Sequence, residues 1–371
     1  MNFLEQKVIE KIRKEGPITF ETFMEMALYE PGIGYYASER TEIGREGDFY
    51  TSPHLHPAFG AMIGKQIEEM WEIMQRPEDF HILEIGGGAG YLCKDILDYL
   101  AKRSSIPVAY VVVETNPFLK EKQEKRLGDF LDKIRWVSSL EDVKPLRGCI
   151  LSNELLDAFP VHLIEMENDM KEIYVSSLDN SLVEVTNSLS TEDITDYVSE
   201  FSIALPKGYR TEINLRIKDW LMSIDKILSG GFILTIDYGY PAWDYYSEHR
   251  NRGTLLSYHK HQVVEDPYQN IGEQDITAHV NFSSVKKWGE ELGLKTLGFC
   301  QQGTFLISLG IDEIMSELYQ NSPDYLFEIS RIKSLIFPGT MGESHKIILQ
   351  YKGKGYPDLR GFSMKNQTDK L

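Results

Sequence analysis

The chain has 371 residues, of which 42% are apolar and 26% charged, the profile of an ordinary globular protein with length enough for two domains or one domain carrying large insertions. Its net charge of −18 is broken by no block of lysine or arginine, which argues against nucleic acid as the main partner, because phosphate contacts supply most of such affinity. Cys93, Cys149 and Cys300 are odd in number and widely spaced, so they outline neither a zinc site nor a disulfide framework.

The first residues, MNFLEQKVIEKIRKEG, look like neither a signal peptide nor an acid-poor transit peptide, and no apolar run reaches the length that crosses a bilayer. The expectation is a cytoplasmic protein without a membrane partner. Residues 1–75 read as a helical extension. Leu4, Val8 and Ile12 form one apolar stripe; Phe20, Phe23, Met24, Ala27 and Leu28 form a second, which Pro31 ends. A long glycine-, proline- and aromatic-rich loop follows up to Gly60. Loops of that length in a compact domain are often functional, and Thr51 and Ser52, with Tyr35 and Tyr36, are candidates for a lid or for mere packing.

From residue 80 onward, short β-runs alternate with helical patterns. Strands are expected at 81–85, 109–114, 134–137, 149–152 and 232–237, and helices at 90–102, 117–130 and 212–229. Such βαβ alternation implies an α/β fold with a parallel sheet covered by helices on both faces, here over residues 76–351. Two insertions interrupt it, a β-rich one at about 160–208 and a second at 240–282. A helix at 283–292 and strands near 295–309 and 345–351 would complete the sheet. Residues 352–371, polar and lysine-rich, are expected to form a flexible tail.

The sharpest local signal is HILEIGGGAGYL, an apolar strand running into Gly86-Gly87-Gly88-Ala89-Gly90 ahead of a helix. Glycine allows a tight turn and close backbone approach to a ligand, and the new helix offers it free N–H groups. The dinucleotide pattern G-x-G-x-x-G would require glycine or alanine at position 91, where Tyr91 stands, so an oxidoreductase is disfavoured. The pattern E/D-x-G-x-G-x-G, by contrast, is met by Glu84, Gly86, Gly88 and Gly90, and resembles the loop of class I S-adenosylmethionine-dependent methyltransferases. The second strand ends in Glu114, an acid placed to accept both hydroxyls of a ribose. The fourth strand ends in SNELLDAFP, which puts Asn153, Glu154 and Asp157 at the switch point of the sheet. Asn153 and Asp157 are also readable as helix caps or turn formers.

Taken in order, GDFYTSP, EIGGGAG, VVVETNP, SNELLDAFP and DITAHVNF resemble the MidA-type family, the mitochondrial complex I assembly-factor methyltransferases and their bacterial relatives. The likeness runs from about Gly16 to Tyr351. It implies a Rossmann-like methyltransferase sheet whose extension and insertions cover the site, S-adenosylmethionine as cofactor, a protein substrate and methylation of arginine. Gly86, Gly88, Gly90 and Glu114 carry over as cofactor contacts, joined by Glu84, Asn153, Thr51 and Ser52 as further candidates. A guanidinium substrate needs carboxylates that grip it and take up the released proton. Glu154 and Asp157 are the candidates, with Asp237 behind them and Asp275 a more distant one. His279 would serve as base for a hydroxyl or thiol nucleophile, although a lone histidine among apolar residues is more often structural. His54, His56, His259 and His261 have no third ligand near them, so no metal is expected. A small-molecule methyltransferase and a non-catalytic binding protein that keeps the cofactor fold are the alternatives.

Overall fold

The computed structural model describes residues 2–39, 52–260, 262–319 and 323–371. At its centre is a seven-strand sheet: β1 (Phe80–Ile85), β2 (Ala109–Val113), β3 (Ile134–Val137), β4 (Leu146–Asn153), β5 (Leu228–Tyr240), β6 (Lys295–Gln301) and β7 (His345–Lys352). The spatial order is β6-β7-β5-β4-β1-β2-β3, extended by a short parallel pairing of Val280–Asn281 with the end of β5. The strands β1 to β5 are parallel, and β7 runs antiparallel between β5 and β6. Strand order reverses between β1 and β4, so their carboxyl ends open the crevice in which such sheets bind ligands.

Continuous apolar runs make these strands, because both faces are covered. On one face, α3 (Ala58–Ile73) packs along α4 (Tyr91–Arg103), enclosing Phe59, Ile63, Ile82, Leu92, Ile96, Cys149 and Phe232. On the other, α6 (Arg216–Ile227) and α7 (Phe282–Glu291) cover Leu83, Val111, Ile150, Ile233 and Ile348. Next in the chain, α5 (Pro117–Arg126) meets the edge strand β3 through Gln123, whose Oε1 accepts from Trp136 Nε1. It begins with a proline at its first turn and Asn116 as cap, whose Oδ1 accepts from Phe118 N.

A third core joins α1 (Phe3–Glu15) and α2 (Phe20–Tyr29) to the first insertion. Ile18–Thr19 pairs with Met170–Leu178, which in turn pairs with His162–Met166 and Ser181–Asn187 in an antiparallel sheet closed by Arg210–Ile213. The second insertion folds as a small antiparallel sheet of Leu256–His259, Gln262–Val264 and Asp275–Thr277.

Three expectations are corrected. The helix expected over 212–229 starts at Arg216, because Arg210–Ile213 is a strand on which the second insertion docks: Thr254 N and Leu255 N both donate to the buried Glu212 carboxylate. The strand expected through 309 ends at Gln301, and Gln302–Ser308 is helical. The tail is not loose. Leu359 and Phe362 are 5% exposed, Phe362 fills the space that a side chain on Gly298 would need, and Asn366 accepts from Phe299 N at 3.1 Å. Thr51 lies outside the described residues.

Candidate active site

The glycine turn follows directly from β1. Gly86, Gly88 and Gly90 have φ of +72°, +51° and +80°, left-handed backbone in which a Cβ would clash. Gly86 N donates to Val113 O at 3.2 Å, which joins the turn to the end of β2, and α4 begins at Tyr91. Beneath the turn, Glu84 is only 3% exposed and its Oε2 accepts from the Tyr110 hydroxyl at 2.8 Å. Burial raises its carboxyl to about 7. Glu84 therefore supports the turn from below, with one oxygen already taken.

Glu114, one residue past β2, has each carboxylate oxygen in one hydrogen bond: Asn116 N donates to Oε1 and Gln123 Nε2 to Oε2, both at 2.9 Å. Burial pushes this carboxyl up to about 7 despite those donors. Asn116 also donates through Nδ2 to the carbonyls of Tyr36 and Ser38, at 2.9 and 3.0 Å, and so fastens the N-terminal segment over the end of β2.

Past β4, Glu154 sits at φ +49°, a left-handed conformation that costs a non-glycine residue about 1 kcal/mol or more. Its neighbours hold it there. Glu154 N donates to Ile236 O at 2.8 Å, and Asp237 Oδ2 accepts from the backbone N–H of Leu155, Leu156 and Asp157 at 3.2, 2.9 and 3.4 Å. With its other oxygen accepting from Tyr238 N at 2.9 Å, no exposure and no place in the lining of the cavity, Asp237 shapes this turn and does not reach a ligand. That corrects its expected catalytic place.

Glu154 Oε1 accepts from Ser52 N and from Asn153 Nδ2, both at 3.3 Å, and lies 3.5 Å from His345 Nε2. Ser52 itself is fully buried and its hydroxyl donates to Gln302 Oε1 at 3.0 Å, so it fixes Glu154 from behind the cavity wall. Asp157 accepts from the Tyr238 hydroxyl through Oδ2, while its Oδ1 has no hydrogen-bond partner although the residue is 5% exposed. Burial and the nearby Glu154 charge raise its carboxyl to about 7. Asn153 Oδ1 is likewise buried and without a partner.

One cavity of about 450 Å³ is lined by the glycine turn, Glu114, Asn153 and Glu154 together with Tyr29, Tyr36, Phe159 and Trp220, while Asp157, Asp237 and Ser52 stand outside the lining. Tyr29 and Tyr36 stack at 5.7 Å between ring centroids. Tyr29 donates to Ala158 O at 2.9 Å, and Tyr36 donates to Asp275 Oδ1 at 2.7 Å. The guanidinium in the lining, Arg216, is held at the rim by Glu21 and Glu25.

His279 is not part of this arrangement. Its ring packs on Tyr238 and Tyr240, with centroids at 5.1 and 5.2 Å, and burial together with Arg250 and Lys346 pushes it down to about 4. It is a neutral imidazole away from the cavity. His345, which the sequence reading passed over, does reach Glu154; only the β5–β7 register, which sets Tyr238 opposite His345, brings it there. Among the described residues no cluster of three or more His, Cys, Asp or Glu is arranged to hold a metal.

An adenosyl amino acid suits this cavity. The glycine turn leaves room for a ligand against bare backbone, Glu114 keeps one lone pair per oxygen for the two hydroxyls of a sugar, and the unpartnered Asn153 Oδ1 suits a cationic group of the ligand.

Comparison with known proteins agrees. The chain is 28% identical to the mitochondrial protein arginine methyltransferase NDUFAF7 homolog of Caenorhabditis elegans over 99% of its own length and 92% of that protein. It is also 28% identical to the Drosophila melanogaster homolog, over 92% of this chain and 83% of that one. A crystal structure of a Burkholderia thailandensis protein bound to S-adenosyl-homocysteine superposes with a TM-score of 0.90 at 27% identity, covering 99% of this chain and 96% of that one. Residues 62–300 match a family described as S-adenosyl-L-methionine-dependent methyltransferases. The glycine turn, the cavity above it, the buried carboxylate of Glu114 and that match lead to one conclusion: the chain belongs to this family of S-adenosyl-L-methionine-dependent methyltransferases.

Proposed function

We propose that this methyltransferase acts on an arginine side chain of a protein. One observation carries the reading: Glu154 and the stacked rings of Tyr29 and Tyr36 line the same cavity as the glycine turn, and the Asp157 carboxylate lies behind that lining, close enough for its charge to act on both rings, an acidic and aromatic surround suited to a cation. The relatives named protein arginine methyltransferases support the same substrate class.

Bound S-adenosylmethionine supplies an electrophilic methyl carbon. The chain supplies alignment, worth several kcal/mol when reacting atoms are held at near-attack distance (up to roughly 7–11 in the best-oriented intramolecular cases). Glu114 would hold the sugar hydroxyls, the backbone of Gly86 to Gly90 would receive the amino-acid end, and Asn153 would close the side next to β4. Glu154, fixed by Ser52 N and by the strained turn, grips the guanidinium. Asp157, raised to about 7, is able to hold the proton released once the methylated nitrogen gives it up. Asp237 and Ser52 act through Glu154 and touch no substrate.

The test is incubation with methyl-tritiated S-adenosylmethionine and cell lysate. Radioactivity should appear in protein and be recovered as methylarginine after acid hydrolysis, and Glu154→Gln should slow its appearance about a hundredfold or more while cofactor binding persists. Radioactivity confined to the small-molecule fraction would refute the reading and favour a small-molecule acceptor.

A further inference from the structure

Helix α5 sends one side chain back beneath the cofactor turn. Gln123 is 1% exposed, and the indole Nε1 of Trp136 donates to its Oε1 at 2.8 Å. An indole N–H is a donor only, so this contact fixes which end of the amide is oxygen. The amide nitrogen is thereby turned toward two acceptors, Gly88 O at 2.7 Å and Glu114 Oε2 at 2.9 Å. Every polar atom of the side chain is in use. The stem is close as well: a Cβ on Gly90 would come within 3.3 Å of Gln123 Cγ.

Gln123 is not among the residues that line the cavity, yet it bonds both the middle of the glycine turn and the carboxylate that faces the sugar. We infer that Gln123 is a positioning residue for cofactor binding, holding Gly88 and Glu114 at a fixed spacing so that the two ends of the adenosyl amino acid are recognised together. The inference rests on the assignment of S-adenosylmethionine as cofactor. Trp136 sets the orientation of the amide, and without it the amide is free to flip and present oxygen to two acceptors. An apolar side chain of similar length would fill the same volume but would leave Gly88 O and Glu114 Oε2 without a donor. Glu114 would then be free to turn, and one of its oxygens would lose the bond that aims it.

The experiment is calorimetric titration of the full chain with S-adenosyl-L-homocysteine and with its 2′-deoxy and 3′-deoxy analogues, on the wild type, Gln123→Met and Trp136→Phe. Thermal melts of the ligand-free proteins run alongside. In the wild type, loss of either hydroxyl should weaken binding about tenfold or more, as expected for a hydrogen bond to a charged group. In Gln123→Met, affinity for the parent ligand should fall roughly ten- to hundredfold, and the penalty for losing a hydroxyl should shrink toward unity, the signature of a coupled pair. Trp136→Phe should shrink that penalty in part.

A folded Gln123→Met that binds like the wild type, or that weakens all three ligands equally, overturns the inference. If Gln123→Met does not fold, Trp136→Phe decides: an undiminished hydroxyl penalty there overturns it too. Failure of the wild type to bind S-adenosyl-L-homocysteine at all would count against the cofactor assignment instead, and would remove the inference with it.

Discussion

Lowering the pH should weaken cofactor binding through one side chain, Glu114. Its two oxygens already accept Asn116 N and Gln123 Nε2, which leaves each with one lone pair for a sugar hydroxyl. Both hydroxyls can donate only to the ionised carboxylate, because protonation converts one acceptor into a donor. Burial raises this carboxyl to about 7, so the ionised form is the minority species in the ligand-free protein at mildly acid pH. If only that form binds fully, the dissociation constant should rise about tenfold, or about 1.4 kcal/mol, for each pH unit below 7. Between pH 8 and pH 5 the loss should therefore approach a hundredfold.

Isothermal titration with S-adenosyl-L-homocysteine over pH 5 to 8 measures it. Glu114→Gln should remove the slope and hold affinity near the acid limb of the wild type. Glu84, also raised to about 7, is not expected to contribute, since its oxygen serves Tyr110 beneath the turn. A flat wild-type profile, or the same slope in Glu114→Gln, would refute the reasoning.

Other perturbations should act as follows. Gly88→Val places a β-branched side chain at φ +51° and should abolish binding of S-adenosylmethionine in calorimetry while helical content by circular dichroism is retained. Glu154→Gln should lower kcat by about 10²–10⁴-fold, the usual weight of a positioned acid–base or charge-stabilising group, with little change in cofactor affinity. Asp237→Ala leaves the N–H groups of Leu155, Leu156 and Asp157 without an acceptor and should destabilise the fold by about 1–3 kcal/mol or more, seen as a lower urea midpoint. Glu84 and Asp157, both raised to about 7 by burial, favour the folded state fully only below their ordinary carboxylate range and lose that contribution as pH rises through 7. Urea unfolding of the ligand-free protein should therefore show greater stability at pH 6 than at pH 8.

The sheet was legible because its strands are unbroken apolar runs separated by helical periods, a pattern that survives without long-range information. The glycine turn was legible too, since left-handed φ at Gly86, Gly88 and Gly90 leaves residue-type constraints that can be read directly. Errors arose where tertiary contacts decided the outcome. Glu212-Ile213 carry the right spacing to continue the next helix, but Glu212 is claimed by Thr254 and Leu255 from the second insertion. The run Phe305-Leu306-Ile307 suits a strand or a helix equally, and packing of Phe305 against Phe362 at 5.3 Å between centroids belongs to the helical solution. The polar look of 352–371 hides two anchors, Leu359 and Phe362, which are too few to shift its composition.

In the site, Glu114 and Glu154 could be named from their places at strand ends. Gln123, Trp136 and His345 could not. Gln123 lies on the inner face of a helix with little apolar pattern, and Trp136 and His345 face the site only through strand register. Asp237 was misread for the converse reason. A carboxylate at the end of a strand looks free in sequence, yet here four backbone N–H groups occupy it.

The most direct measurement is a crystal structure of the complex with S-adenosyl-L-homocysteine. The ribose hydroxyls should lie within hydrogen-bond distance of both Glu114 oxygens, with the homocysteine end over Gly86 to Gly90 and the sulfur turned toward Asn153 and Glu154. A ligand bound elsewhere, or a ribose that leaves Glu114 turned away from it, would contradict the account.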